Sequence, residues 1–167
     1  MKIELKTWTD AEIEAVSDIF NRVDRSYLSN TIPLPYTVEC AENWYLNTIA
    51  PAEGKTGLAR VIYADNQHAG YISINQKIDV YACDAELGYI LLDEFKGQGV
   101  MTEAVRVFCA EAFEKLNILR ISASVYSPNI ASQRVLEKNG FIREGAMKNA
   151  VSKNGNVYDM YLYGKLK

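Results

Sequence analysis

Apolar positions along this chain change period several times, and each change marks a new element. Ile3, Leu5 and Thr7 alternate with charged neighbours in "MKIELKTW", which predicts a half-buried first strand. From Thr9, "TDAEIEAVSDIF" switches to helical spacing, with Ile13, Val16, Ile19 and Phe20 on one face. Thr9 and Glu12 stand three apart, the spacing of a capping box. Pro33 and Pro35 in "NTIPLPYT" break regular structure, and Thr37 is placed to cap a second helix carrying Ala41, Trp44, Tyr45 and Ile49.

The second half is more regular. "LARVIYA" and "AGYISINQKI", joined by "DNQH", read as a hairpin, and "AELGYILL" as a further strand. A helix is predicted from Val100 to Leu116, with Met101, Ala104, Val105, Phe108 and Ala112 at helical spacing. "RISASVY" is a strand, and "SPNIASQRVLEKNG" a helix with Ser127 as N-cap, Pro128 at the first position and Gly140 past the end. "FIREGAMKNAV" and "VYDMYLYGKL" form a closing hairpin around "KNGN". The order β-α-α-β-β-β-α-β-α-β-β, without repeats or a long linker, predicts one mixed α/β domain over residues 1–167.

Composition narrows the function. The chain has 167 residues, 49% hydrophobic and 23% charged, enough for a sizeable core. Its formal net charge of -3 and the lack of any Lys or Arg run argue against nucleic acid or anionic lipid as the main partner. Cys40, Cys83 and Cys109 are widely spaced and odd in number, so they read as reduced thiols. His68 is the only histidine, and no metal is implied. A charged N-terminus and the absence of a long apolar run predict a cytoplasmic protein with no membrane segment.

The candidate chemistry begins at "DEFKGQGVMTEAV", residues 93–105. Gly97 and Gly99 precede a helix N-terminus, where unpaired amides and the helix dipole favour an anion. Asp93, Glu94 and Glu103 oppose one, so a phosphate here would depend on backbone amides more than on Lys96. The pattern GxxxxGK[ST] is absent, and Thr102 stands where a dinucleotide fingerprint needs its third glycine. By itself the loop is either an ordinary turn or a cradle.

Three stretches together, "ELGYILLDEFKGQGVMTEAV", "SPNIASQRVLEKNGFIREG" and "NGNVYDMYLYGKL", resemble the GCN5-related N-acetyltransferases. Within that superfamily they look like the ribosomal-protein N-terminal acetyltransferase branch. The resemblance is strong over residues 80–167 and looser before them. It implies a three-layer α/β/α fold with a central twisted mixed sheet of six to seven strands. It also implies acetyl-CoA as cosubstrate and no metal. Of the superfamily's Q/R-x-x-G-x-G/A motif, Lys96 holds the first place, Gly99 the fourth and Met101, a departure, the sixth. The resemblance implies that Lys96, Gly97, Gln98, Gly99, Val100, Met101 and Thr102 wrap the CoA pyrophosphate. Ile90, Leu91 and Leu92 would pair with the pantetheine arm, Asn129 would bond to it, and Ser132 would lie near the thiol. From the residues alone, Asn129 could equally just start a helix.

Acetyl transfer to an amine needs a neutral amine, support for the developing oxyanion and a hydrogen-bond donor or acid for the departing thiolate. An α-amine titrates at ~7.7–8.0 and a lysine at ~10.4, so the α-amine needs less help. Glu86, sharing a strand face with Gly88 and Ile90, is the candidate base, and could equally be a solvated carboxylate. An amide near Leu91 is the candidate oxyanion donor. Many superfamily members carry a tyrosine as acid where Leu136 stands, which leaves Ser132 as the candidate acid, a poor one by its own pKa, or as a hydrogen-bond donor to the sulfur only. Tyr36 and Trp44 either line the acceptor pocket or pack the core. The expected activity is therefore acetylation of a protein or peptide α-amine in a ternary complex, by a monomer or homodimer. Small-amine acetylation and a non-catalytic acyl-CoA-binding module are the alternatives.

Overall fold

The computed structural model describes all residues, 1–167. Seven strands form one sheet in the order β1-β2-β3-β4-β5-β7-β6. They are β1 (Ile3–Thr7), β2 (Gly57–Ala64), β3 (Gln67–Gln76), β4 (Asp84–Leu91), β5 (Arg120–Tyr126), β6 (Ile142–Lys153) and β7 (Asn156–Leu166). Only β4 and β5 run parallel, and the connection between them is α4 (Val100–Lys115). The other helices are α1 (Ile13–Arg22), α2 (Val38–Trp44), a single turn α3 (Ala50–Ala52) and α5 (Ile130–Lys138). A π-helical turn, Tyr45–Ile49, joins α2 to α3. Both hairpin turns carry the expected left-handed pairs, Asp65-Asn66 and Asn154-Gly155.

Two helix starts differ from the sequence reading. Thr9 makes no side-chain cap, and Asp10–Glu12 forms a 3-10 turn before α1. The Glu12 carboxylate instead accepts from the Tyr63 hydroxyl at 2.7 Å, which removes the returning half of a capping box. At α5 the cap is Asn129, not Ser127, because the Asn129 Oδ1 accepts from the Ser132 amide at 3.2 Å. Pro128 thus precedes the cap rather than following it.

Strand register sorts side chains onto the two faces. Tyr71 pairs with Ile90 and Ser73 with Gly88, while Ile72 pairs with Tyr89 and Ile74 with Leu87. The Tyr71 face meets α1 and α2: its ring lies 5.7 Å from Phe20 and 5.4 Å from Trp44. The opposite face meets α4, since Arg60, registered on Ile72, reaches Glu111 of that helix. Three layers result, with one continuous hydrophobic core through both interfaces.

Candidate active site

The sheet opens at its centre. β4 and β5 pair only from Asp84–Arg120 to Glu86–Ser122 and then diverge, β4 staying with β3 and β5 with β7. Leu92 donates to Ala69 O at 2.8 Å, which fixes the alternation of the antiparallel ladder. The peptide groups of Leu87, Tyr89 and Leu91 therefore face the side that β5 has left. Such a free strand edge suits an extended amide-bearing chain.

A cavity of about 290 Å³ fills the gap. Leu87, Gly88, Tyr89 and Ile90 of β4 form one wall, Ala123 to Tyr126 of β5 another, and Asn129, Ser132 and Leu136 come from α5. Tyr27, Leu28, Ile32 and Trp44 close it from the α1–α2 side. The lining is apolar and hydroxylic and contains no charged side chain. Tyr71, also in the wall, is 4% exposed and its hydroxyl has no hydrogen-bond partner.

Beyond the free edge lies the loop before α4. Gly97 and Gly99 hold φ of 75° and 81°, and open space lies where a Cβ would stand on either. No acceptor within the protein meets the amides from Gly97 to Thr102, at the end of a helix of 16 residues. These amides and this open approach fit a phosphate group. Lys96 contributes less than its charge suggests, because its ammonium lies 2.6 Å from Asp93 and 3.7 Å from Asp24. Asn139 donates to Thr102 O at 3.1 Å and to Val135 O at 2.9 Å, tying the first turn of α4 to the end of α5.

The structure thus gathers Ile90, Leu91, Asn129 and Ser132 at the gap, and Leu92 with Lys96 to Thr102 just beyond it. Trp44 lines the cavity, whereas Tyr36 is buried beside it, stacked on Phe20 at 4.8 Å. Glu86 lies outside the cavity, exposed and without an ion-pair partner, where the two strands part. His68 is remote from this centre and pairs with Asp18 at 2.6 Å.

Sequence reasoning misses Tyr89. Its hydroxyl lies 2.8 Å from Ser132 Oγ and 3.3 Å from Ser132 O. Burial pushes its ionisation well above the usual tyrosine range. Strand alternation puts Leu87, Tyr89 and Leu91 on one face, and Tyr89 is the only one of them with a polar tip. That signal is present, but nothing in the sequence says that α5 lies over it.

Residues 2–142 match the family model described as "Acetyltransferase (GNAT) domain". The chain belongs to that family. Among curated relatives, the "Probable N-acetyltransferase YjcK" of Bacillus subtilis (strain 168) is 41% identical over 92 residues, 55% of this chain and 51% of its own length. The ribosomal-protein-serine acetyltransferase of Escherichia coli (strain K12) is 29% identical over 106 residues, 64% of this chain and 59% of its own. This GNAT chain therefore spans about half the length of several relatives that it matches. Among solved structures, RimL, a ribosomal L7/L12 α-N-protein acetyltransferase in complex with coenzyme A, superposes with a TM-score of 0.83. That match covers 99% of this chain and 94% of RimL at 24% identity, a likeness of fold.

Proposed function

We propose that this protein transfers acetyl from acetyl-CoA to the α-amine of a peptide or protein N-terminus, by direct attack within a ternary complex. The observation that carries the reading is an uncharged cavity in a split sheet, reached along a free strand edge from a row of unpartnered amides. In this reading the amides from Gly97 to Thr102 hold the pyrophosphate, and the free edge of β4 from Leu91 back to Leu87 pairs with the pantetheine arm. Four strand residues, Leu91 back to Leu87, span about 13 Å, which takes the arm past Tyr89 and Gly88. The bound thioester supplies the activated acetyl group.

The lining favours an α-amine. No carboxylate in the cavity could hold an ammonium, so an acceptor must lose its proton readily. The α-amine and lysine differ by about 2.5 units in pKa, a several-hundredfold difference in neutral fraction at pH 7. The same lack of a carboxylate counts against polyamines, which would bring a second cation. The names of the relatives that act on ribosomal proteins support the same acceptor class. Direct attack is favoured because no cysteine lines the cavity, and burial pushes the Cys109 thiol up to about 11. In this reading Glu86, exposed and free of ion pairs where the strands part, takes the released proton through water.

The test is a turnover panel followed by mass spectrometry. It compares a peptide with a free N-terminus, the same peptide N-terminally blocked but bearing lysine, and a polyamine, each with acetyl-CoA. Acetylation of the free α-amine at least tenfold faster than the others is expected. Equal or faster reaction of the lysine peptide or the polyamine would overturn the acceptor class. Binding of acetyl-CoA without turnover of any amine would favour a non-catalytic module.

A further inference from the structure

Ser132 and Tyr89 are the only hydroxyl-bearing side chains that reach the cavity from the α4–α5 side of the sheet. Leu136, the next cavity-lining residue on α5, is fully buried and has no polar atom to offer. The side-chain oxygen of Asn129 is already engaged by the Ser132 amide. On the same face of β5 stand Ala123 and Val125, neither of which carries a hydroxyl. The hydroxyl donors that this side offers a departing sulfur are therefore this pair, 2.8 Å apart.

Resting on the transferase reading above, we propose that Tyr89 is a positioning residue for thiolate departure: its phenol donates to Ser132 Oγ and turns the serine O–H toward the sulfur. A phenol is the better donor of the two, and the buried site keeps it un-ionised at any working pH. With its oxygen occupied as acceptor, Ser132 has one remaining hydrogen to direct into the cavity. When the C–S bond breaks, its electron pair stays on sulfur. The proton that nitrogen gives up restores the overall balance as the thiol is formed, so neither hydroxyl need ionise. The aligned serine stabilises the sulfur during the interval between these events.

The experiment measures the thiol pKa of bound CoA from the ultraviolet absorbance of its thiolate, for the intact protein, Tyr89→Phe, Ser132→Ala and the double variant. A free thiol titrates near ~8.5, and an aligned donor lowers that value in the complex. The expected result is a lowered value in the wild type and a return by half a unit or more in Tyr89→Phe. Ser132→Ala should return it equally, and the double variant no further. In turnover, kcat should fall at least tenfold in each single variant, with KM for acetyl-CoA within about twofold, and the double should be no worse than either. A bound-thiol pKa unchanged by Tyr89→Phe, or additive losses in the double variant, would overturn the proposal. A lowered thiol pKa in a protein that acetylates no amine would defeat the transferase reading, and with it the role in thiolate departure, and leave only the alignment of Ser132 by Tyr89 at a bound thiol. Failure to bind CoA would defeat both.

Discussion

At the scale of single residues, the cavity is lined by apolar, hydroxyl and amide groups, and the carboxylates stand apart from it. Glu86 is the one acidic group near the parting of β4 and β5 without a competing cation. Glu86→Gln is expected to lower kcat at least tenfold while leaving the dissociation constant of acetyl-CoA unchanged, as read by calorimetry and steady-state rates. An unchanged kcat would make it a solvated strand residue. A different carboxylate matters for stability. Arg60, 2% exposed, is held by Glu53 and by Glu111, whose Oε2 lies 3.2 Å from the guanidinium Nε. Burial raises the Glu111 carboxyl, but hydrogen bonds from Arg60 and Lys115 outweigh it and leave the group below its ordinary value. A depressed folded-state pKa gives stability that is present above the unfolded value and lost as pH falls through the folded one. Urea unfolding at a series of pH values should therefore show a decline below about 4.5 that Glu111→Gln flattens. Identical profiles would show that Glu111 contributes nothing to acid sensitivity.

At the scale of elements, the start of α4 separates binding from folding. Gly99 caps the helix at φ 81° with nothing facing its missing side chain. Gly99→Ala should cost about 1 kcal/mol of backbone strain, a shift of a few degrees in Tm for a chain of this length. The added methyl would project into the open approach above the amides. Acetyl-CoA affinity should fall at least tenfold, so a folded protein with unchanged affinity would count against the cradle. The α5 start behaves differently. Asn129 both caps the helix and touches the cavity, so its replacement by alanine mixes about 1 kcal/mol of lost capping with any lost ligand contact.

At the scale of the whole molecule, the β6–β7 hairpin meets the segment between α1 and α2. Lys153, at the tip of the β6–β7 hairpin, is 8% exposed and has no carboxylate partner. Its ammonium donates to Leu28 O at 2.8 Å and to Asn30 Oδ1 at 2.5 Å, in the segment that supplies Tyr27, Leu28 and Ile32 to the cavity wall. Lys153→Met is expected to loosen that wall, raising KM for the amine acceptor severalfold while acetyl-CoA affinity holds. Equal effects on both ligands would mean that the hairpin supports the sheet as a whole and not the acceptor side. No helix is long and apolar enough to cross a membrane.

The sequence by itself determined the element order, because hydrophobic period and turn chemistry are local: Asp65-Asn66 and Asn154-Gly155 turn where such pairs prefer to turn. It also located the loop at Gly97 and Gly99, since left-handed backbone before a helix is legible from glycine alone. The capping box at Thr9 misled because a tertiary neighbour, Tyr63, takes the Glu12 carboxylate, whereas at α5 the cap shifted locally from Ser127 to Asn129, which takes the Ser132 amide. The structure decided everything that depends on two distant elements lying side by side. The gap arises because β5, paired with β7 along its whole length, parts from β4 after Ser122, a choice no residue of β4 announces. Tyr89 reads in sequence as one more strand aromatic. Only the packing of α5 across β4 brings its hydroxyl to Ser132, because a contact across 43 positions leaves no local trace.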